Sequence, residues 1–357
     1  METKIVDGHM HITQWIGKDG KNVFDCIKDY QKVNQIAAID NMCCSNNANL
    51  WGGYEMDQSI LGAIVKIENP TVFTHGCLYI PQDVTEIQNY RFQDQLEELM
   101  ELGLDGVKIC DFKPDAYNIL HVESLLQEYE AYIDACEKYN VHMCWHVADP
   151  QTCWDPDQVS EDFKRRGWFY GDGAHASYEK LIAYAYELLD RHPNLHVLLA
   201  HAFFKSFDPD EVIALLEKYP NVNIDFAPGW EMFDGFRTYY EKWYDIFRKY
   251  STRFVFATDA TMTSSAAHIN AIAENVLRFL QTDDQFAVPG EHFAHGVKLE
   301  QDQLENILYK NHAAAVGEKP REINKQALKK YIERYLPLMP DSKNRQMTEE
   351  FYRKNLL

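Results

Sequence analysis

KIVDGHMH, residues 4–11, decides how this 357-residue sequence is read. As a short strand it puts Ile5, Asp7, His9 and His11 on one face, because successive side chains of a strand point to opposite faces. Two histidines on one face at a strand end can reach the same ion, and neutral imidazole suits zinc, iron and similar divalent metals. A bare H-x-H is equally compatible with an ordinary surface strand. The ends of the later strands separate the two readings.

Outward from this stretch the sequence alternates apolar strand-like runs with helical ones. Helix Val23–Val33 is followed by strand Gln35–Cys43 and strand Thr71–Ile80, which Pro81 stops. Helix Thr85–Leu102 leads to strand Leu104–Cys110, and helix Val122–Tyr139 to strand Val141–His146. Helix Tyr178–Arg191 precedes strand Leu195–His201, and Asp208 caps a helix over Pro209–Tyr219. Strand Asn221–Ala227, helix Phe236–Tyr250, strand Arg253–Asp259 and helix Ser265–Gln281 close the series. Such alternation implies parallel strands joined by helical crossovers, and eight units imply a (β/α)8 TIM barrel. An open doubly wound sheet is second, since no G-x-G-x-x-G follows the first strand. The last strand carries Val255 and Ala257 on the face of Asp259 and bulky Phe254 and Phe256 on the other, as a closed barrel requires. The expected division is a barrel over residues 1–317 and a C-terminal helical appendage, 318–357, packed on it.

A net charge of -20, from 55 acidic against 35 basic residues, argues against nucleic acid or an anionic membrane as partner. Eight scattered cysteines without C-x-x-C, and polar residues running straight into the first strand, fit reduced thiols in a cytoplasm. No apolar run approaches the ~18 residues of a membrane helix. The expected partner is a small-molecule substrate, and a homo-oligomer is compatible with the sequence.

Five groups able to hold a metal end these strands: His9 and His11, then His146, His201 and Asp259. A barrel carries its active site at the C-terminal ends of its strands. One strand-end histidine would be unremarkable among fourteen, but five ligand-type groups at one mouth point to a metal centre.

DGHMH, His146, His201 in LLAHAFF and Asp259 in FATDA resemble the amidohydrolase superfamily, most closely the amidohydrolase-related branch that also contains aromatic-acid decarboxylases. LENILYKNHAAAVG, residues 304–317, resembles the helix that ends many members, with Asn311 in its usual place. The resemblance spans about residues 4–317 and implies one divalent ion, zinc first and manganese or iron next, on His9, His11, His146 and Asp259. His201 would be a ligand or a nearby catalytic group, and Asp259 would also move protons. Lys108 stands on the strand where two-metal members carry a carboxylated lysine; the alternative is an ammonium that binds a substrate anion.

Three histidines and a carboxylate leave such an ion positive enough to bring a bound water to pKa ~7, which implies hydrolysis of an amide, ester or lactone. Non-oxidative decarboxylation is the alternative, and a metal-binding barrel without turnover is third. Trp51, Trp154, Trp168, Phe169, Tyr170 and Trp230 enrich the mouth loops in aromatics, with Trp168, Tyr170 and Trp230 the candidates for substrate contact. The connection from Val147 to Ala176 exceeds the usual ~12–15 residues of a structureless loop and is expected to cover the mouth.

Overall fold

The computed structural model describes residues 4–45, 50 and 57–357. Nine short parallel strands make one sheet: β1 Val6–His11, β2 Ala38–Met42, β3 Val72–Gly76, β4 Gly106–Phe112, β5 Met143–Val147, β6 Val197–Leu199, β7 Val222–Asp225, β8 Phe254–Val255 and β9 Ala260–Thr261. They hydrogen-bond in the order β8-β7-β6-β5-β4-β3-β2-β1-β9. β8 and β9 are two pieces of one chain segment. Val255 pairs with Asp225 on one side, while Ala260 and Thr261 pair with Met10 and His11 on the other. The sheet therefore closes on itself, with Gly8 N–H donating to Phe256 O at 2.9 Å and Asp259 N–H to His9 O at 2.8 Å along the seam. The eighth strand is split because Asp259 turns left-handed at φ +54°.

The connecting helices are α1 Val23–Asn34, α2 Gln58–Glu68, α3 Phe92–Leu102, α4 Leu126–Lys138, α5 Tyr178–Arg191, α6 Pro209–Lys218, α7 Tyr240–Lys249 and α8 Ala266–Gln281. Asp208 caps α6 by accepting from Glu211 N–H at 3.1 Å. Gly103 ends α3 in the left-handed region that glycine supplies. The sequence reading missed α2, which Asp57 caps through Ile60 N–H, and the hairpin of β10 Gln285–Val288 and β11 His292–His295. Met232–Thr238 and α7 replace the single expected helix over residues 236–250. None of the described helices is long and apolar enough to cross a membrane.

Met42, Cys144, Leu198 and Val255 form their own buried cluster. They come from β2, β5, β6 and β8, so they meet across the barrel interior. Phe254 and Phe256 belong to the larger layer between sheet and helices, as their phase predicts. Strand six corrects the sequence reading. Period two along strand Leu195–His201 would put Val197 and Leu199 on the inward face of His201; instead both lie in the outer layer, and Leu198 faces in. His201 reaches the mouth because the chain turns left-handed at His201, Ala202, Phe203 and Phe204, with φ of 59°, 51°, 54° and 52°.

β1 holds a second correction. Its register against β2 shifts between Asp7 and Met10. Val6 packs with Ala38, which shares the interior face of Met42, whereas Asp7 turns outward and accepts from Tyr30 of α1 at 2.6 Å and Thr258 Oγ1 at 2.6 Å. Asp7 thus does not lie under His9. An irregularity of this kind re-aims side chains beside a site.

After α8 the chain returns to the seam. A π-helical turn, Asn306–Lys310, precedes Asn311, whose Nδ2 donates to Ser251 O at 2.7 Å and Phe254 O at 2.6 Å. α9 Lys325–Tyr335 and α10 Lys343–Asn355 lie against other elements: Tyr335 OH donates to Glu98 at 3.0 Å, and the Trp15 indole donates to Thr348 at 3.1 Å.

Candidate metal centre

His9, His11 and Asp259 each place a ligand atom within 4.8 Å of the others'. Asp259 Oδ1 is 3.0 Å from His11 Nε2 and 3.5 Å from His9 Nε2. His146 stands one step away: its Nδ1 is 2.9 Å from His201 Nε2, and the His201 ring centre is 5.4 Å from that of His9. Five strand-end groups therefore share one mouth in two touching subsets.

The outer nitrogen of each imidazole identifies its tautomer. Carbonyl and carboxylate oxygens accept and do not donate. His9 Nδ1 lies 2.7 Å from Asp225 Oδ2, and His11 Nδ1 lies 2.6 Å from Met42 O. His201 Nδ1 lies 2.9 Å from Ala227 O, and His146 Nε2 lies 2.9 Å from Ala148 O. Those four nitrogens carry the protons. The four remaining nitrogens present lone pairs; they face the Asp259 carboxylate or each other, and that of His9 also has Lys108 Nζ at 3.3 Å. A proton or a cation must stand between such groups for the arrangement to be favourable. The donor set therefore fits a divalent metal, each imidazole being oriented from behind by an acceptor, as in known metal sites.

Burial keeps the rings neutral. It pushes His201 down to about 4 and holds His9, which also feels Lys108, well below the ordinary histidine value. Burial lowers His146 too, against the pull of Asp149. For Asp259 burial works upward, but His201, His11 and His9 outweigh it and hold the carboxyl well below the usual carboxylate range. Neutral His9, His146 and His201 beside an ionised Asp259 are ligands ready for a cation. Asp225 acts on two of them at once: besides His9 it accepts the backbone N–H groups of His201 at 2.7 Å and Ala227 at 3.0 Å.

Backbone strain gathers at the same place. Of eleven described non-glycine residues with positive φ, six are Ala148, His201–Phe204 and Asp259. Each such residue costs about 1–3 kcal/mol and persists where the surroundings over-determine it, commonly at functional sites.

Lys108 points inward, 1% exposed, with Nζ 3.3 Å from His9 Nε2 and 3.3 Å from Cys144 Sγ. It makes no ion pair among the described residues. The two other lysines near the mouth are committed, Lys113 to Asp149 and Lys205 to Glu211. Tyr170 is 1% exposed, and its hydroxyl bonds Asp149 at 2.7 Å and Lys113 at 2.9 Å, so it anchors the long connection. Trp168 lies over Lys113, 4.5 Å from ring centre to Nζ, and Trp230 stacks on Phe233 at 5.9 Å. Phe204, which the sequence reading passed over, sits 5.2 Å from the His201 ring and 5.4 Å from that of His146. Its signal was the aromatic pair Phe203-Phe204, two and three residues after His201. Trp51 lies outside the described residues.

Three comparisons bear on this geometry. No curated protein matches the sequence. Several solved structures share the fold. A TIM-barrel protein of Bordetella bronchiseptica has 13% identity and a TM-score of 0.54, over 87% of this chain and 98% of that one. An amidohydrolase of Burkholderia multivorans with bound zinc has 10% identity and a TM-score of 0.51, over 88% and 99%. A PTE-like lactonase variant of Deinococcus radiodurans has 12% identity and a TM-score of 0.50, over 88% and 96%. The amidohydrolase family model matches residues 63–317, which contain Lys108, His146, His201 and Asp259, with His9 and His11 upstream. By this match the chain belongs to the amidohydrolase family of metal-dependent hydrolases.

Proposed function

We propose that His9, His11, His146 and Asp259 hold one divalent ion, zinc first, and that the chain hydrolyses the C–N or C–O bond of a small amide, ester or lactone. The observation that carries this reading is the set of imidazole lone pairs facing Asp259 or one another, each ring oriented by an acceptor behind it. A bound divalent ion supplies Lewis acidity and lowers the pKa of a coordinated water toward ~7. Asp259, ionised and half-buried at the mouth, accepts the proton of the attacking water and returns it to the leaving group. His201 carries its own proton on Nδ1, so toward the mouth it offers an acceptor. That suits steering or receiving a proton, not donating to an oxyanion. Phe204, Trp168 and Trp230 offer apolar faces for a ring-bearing substrate. We read residues 318–357 as a helical extension resting on the barrel, and the protein as one that works on small molecules without nucleic acid.

Lys113 and Lys205 are already paired, so of these mouth lysines Lys108, which makes no ion pair among the described residues, is the one left to meet a substrate carboxylate in the alternative of decarboxylation. The test is a panel of lactones, esters and cyclic amides, alongside carbon dioxide release from aromatic acids, with metal-loaded and chelator-treated protein. Hydrolysis that chelation abolishes supports the reading; carbon dioxide release without hydrolysis overturns it.

One observation favours a second reading. Lys108 is buried without a carboxylate partner, and the lone pairs fall into two subsets, His9–His11–Asp259 and His146–His201. A carboxylated Lys108 would bridge two ions there. Elemental analysis giving two metals per chain would select this alternative.

A further inference from the structure

We propose that Asp149 is a positioning residue for His146 and that, through it, the connection spanning residues 148–177 is part of the metal centre. The proposal rests on the reading of His146 as a ligand. Asp149 Oδ1 lies 3.4 Å from His146 Nε2, the nitrogen on the side away from the mouth, which also donates to Ala148 O at 2.9 Å. Its other oxygen pairs with Lys113 Nζ and accepts from Tyr170 OH at 2.7 Å. Asp149 and Lys113 are each 5% exposed and Tyr170 is 1% exposed, so the cluster has little competition from water.

The three residues come from separate places. Lys113 directly follows β4, Asp149 follows β5, and Tyr170 comes from the far part of the connection, where its N–H donates to Cys153 O at 2.9 Å. Trp168 covers Lys113, and Arg166 lies 5.2 Å from the same indole. The connection is thus fastened to the His146 ring through the Ala148 carbonyl and the Asp149 carboxylate, and the latter ties in Lys113 and Tyr170.

Coupling through such a carboxylate works both ways. A carboxylate behind an imidazole makes the ligating nitrogen more basic and strengthens its hold on a metal. Conversely, a cation held by Nδ1 would draw charge from the ring and make the Nε2 proton a stronger donor to Ala148 O and Asp149, which share it. The Asp149–Lys113–Tyr170 cluster then tightens, and residues 148–177 open less often. Lys164, Arg165 and Arg166, with exposed side chains on and just after the short helix Glu161–Arg165, report that opening to a protease.

The experiment compares wild type, Asp149→Asn, Asp149→Glu and Tyr170→Phe, all full length, in two assays. Zinc affinity is measured by chelator competition, and trypsin cleavage at residues 164–166 is timed with and without zinc. The expected result is that Asp149→Asn weakens zinc about 10–100-fold and abolishes the zinc-dependent protection. Asp149→Glu should restore part of both. Tyr170→Phe, which keeps the ion pair, should lose protection with a smaller change in affinity. Should Asp149→Asn fail to fold by circular dichroism, Tyr170→Phe decides alone. Wild-type zinc affinity and protection in the folded variants would overturn the proposal while leaving the metal site standing. A wild type that binds no zinc would overturn both.

Discussion

Asp225→Asn changes one atom of a fully buried side chain and should disable the ion site without dismantling the barrel. Asp225 has three partners: His9 Nδ1 at 2.7 Å and the N–H groups of His201 and Ala227 at 2.7 and 3.0 Å. An asparagine can keep both backbone bonds through its carbonyl oxygen. Its amide group must then face His9, where a donor meets a donor. His9 responds by moving its proton from Nδ1 to Nε2, and the nitrogen that faced Asp259 no longer offers a lone pair. The charge-assisted bond that is lost is worth about 1.5–3 kcal/mol. Losing an orienting partner of this kind typically weakens a metal about 10–100-fold, equivalent to about 1.4–2.7 kcal/mol. Zinc competition titration reads the affinity, and long-range ¹H–¹⁵N spectra of labelled histidine read the tautomer. Unchanged zinc affinity together with a His9 that keeps its proton on Nδ1 would refute the reasoning.

Three further outcomes are expected. His201→Asn should retain the metal content of wild type and lose turnover by about 10²–10⁴-fold; a fall in metals per chain on elemental analysis would instead make His201 a ligand. Stability of the chelator-stripped protein should decline as pH falls below 6.5, because burial beside His75, His312 and His196 keeps folded His142 neutral while the unfolded chain takes up a proton. Between pH 6.5 and 5.5 urea unfolding should show up to ~1.4 kcal/mol more loss for wild type than for His142→Phe; parallel curves would refute it. Asp40, held by His75 and His312 well below the usual carboxylate range against the opposing effect of burial, adds its own loss only below pH 3.8. Gly8→Ala should destabilise by about 1–3 kcal/mol in the same assay, since a Cβ there would lie 2.6 Å from Val255 Cγ1 and 3.2 Å from Phe256 O.

The strand ends were legible because a barrel strand advertises its end: an apolar run stops at a histidine or aspartate. Val255 inside and Phe254 outside could likewise be read from size alone, since a barrel interior has little room. What failed was arithmetic with period two. It assumes an unbroken register, and β1 shifts register between Asp7 and Met10, which turned Asp7 outward. Strand six failed the same way, since Val197 and Leu199 face the helices and His201 comes inward through a left-handed turn. No glycine or asparagine marks that turn; His-Ala-Phe-Phe carries no local preference for it, so tertiary packing must impose it. Tyr170 looked like a substrate contact because an aromatic beside glycines suggests a mobile lid. Its partner Asp149, distant by 21 residues, could not be seen from the spacing.

The split eighth strand has a consequence for how the protein is made. His11 and Asp259 touch at the seam but are 248 residues apart in the chain. At roughly 5–20 residues per second, a ribosome needs about 12–50 s to travel between them. Throughout that interval β1 has β2 on one side and nothing on the other, an open edge able to pair with a neighbouring nascent chain. His9 and His11 alone are a weak two-point grip on any passing ion. Until residues 259–261 are made, β1 lacks its second neighbour and His11 lacks Asp259, so the ion site cannot be complete before the seam closes.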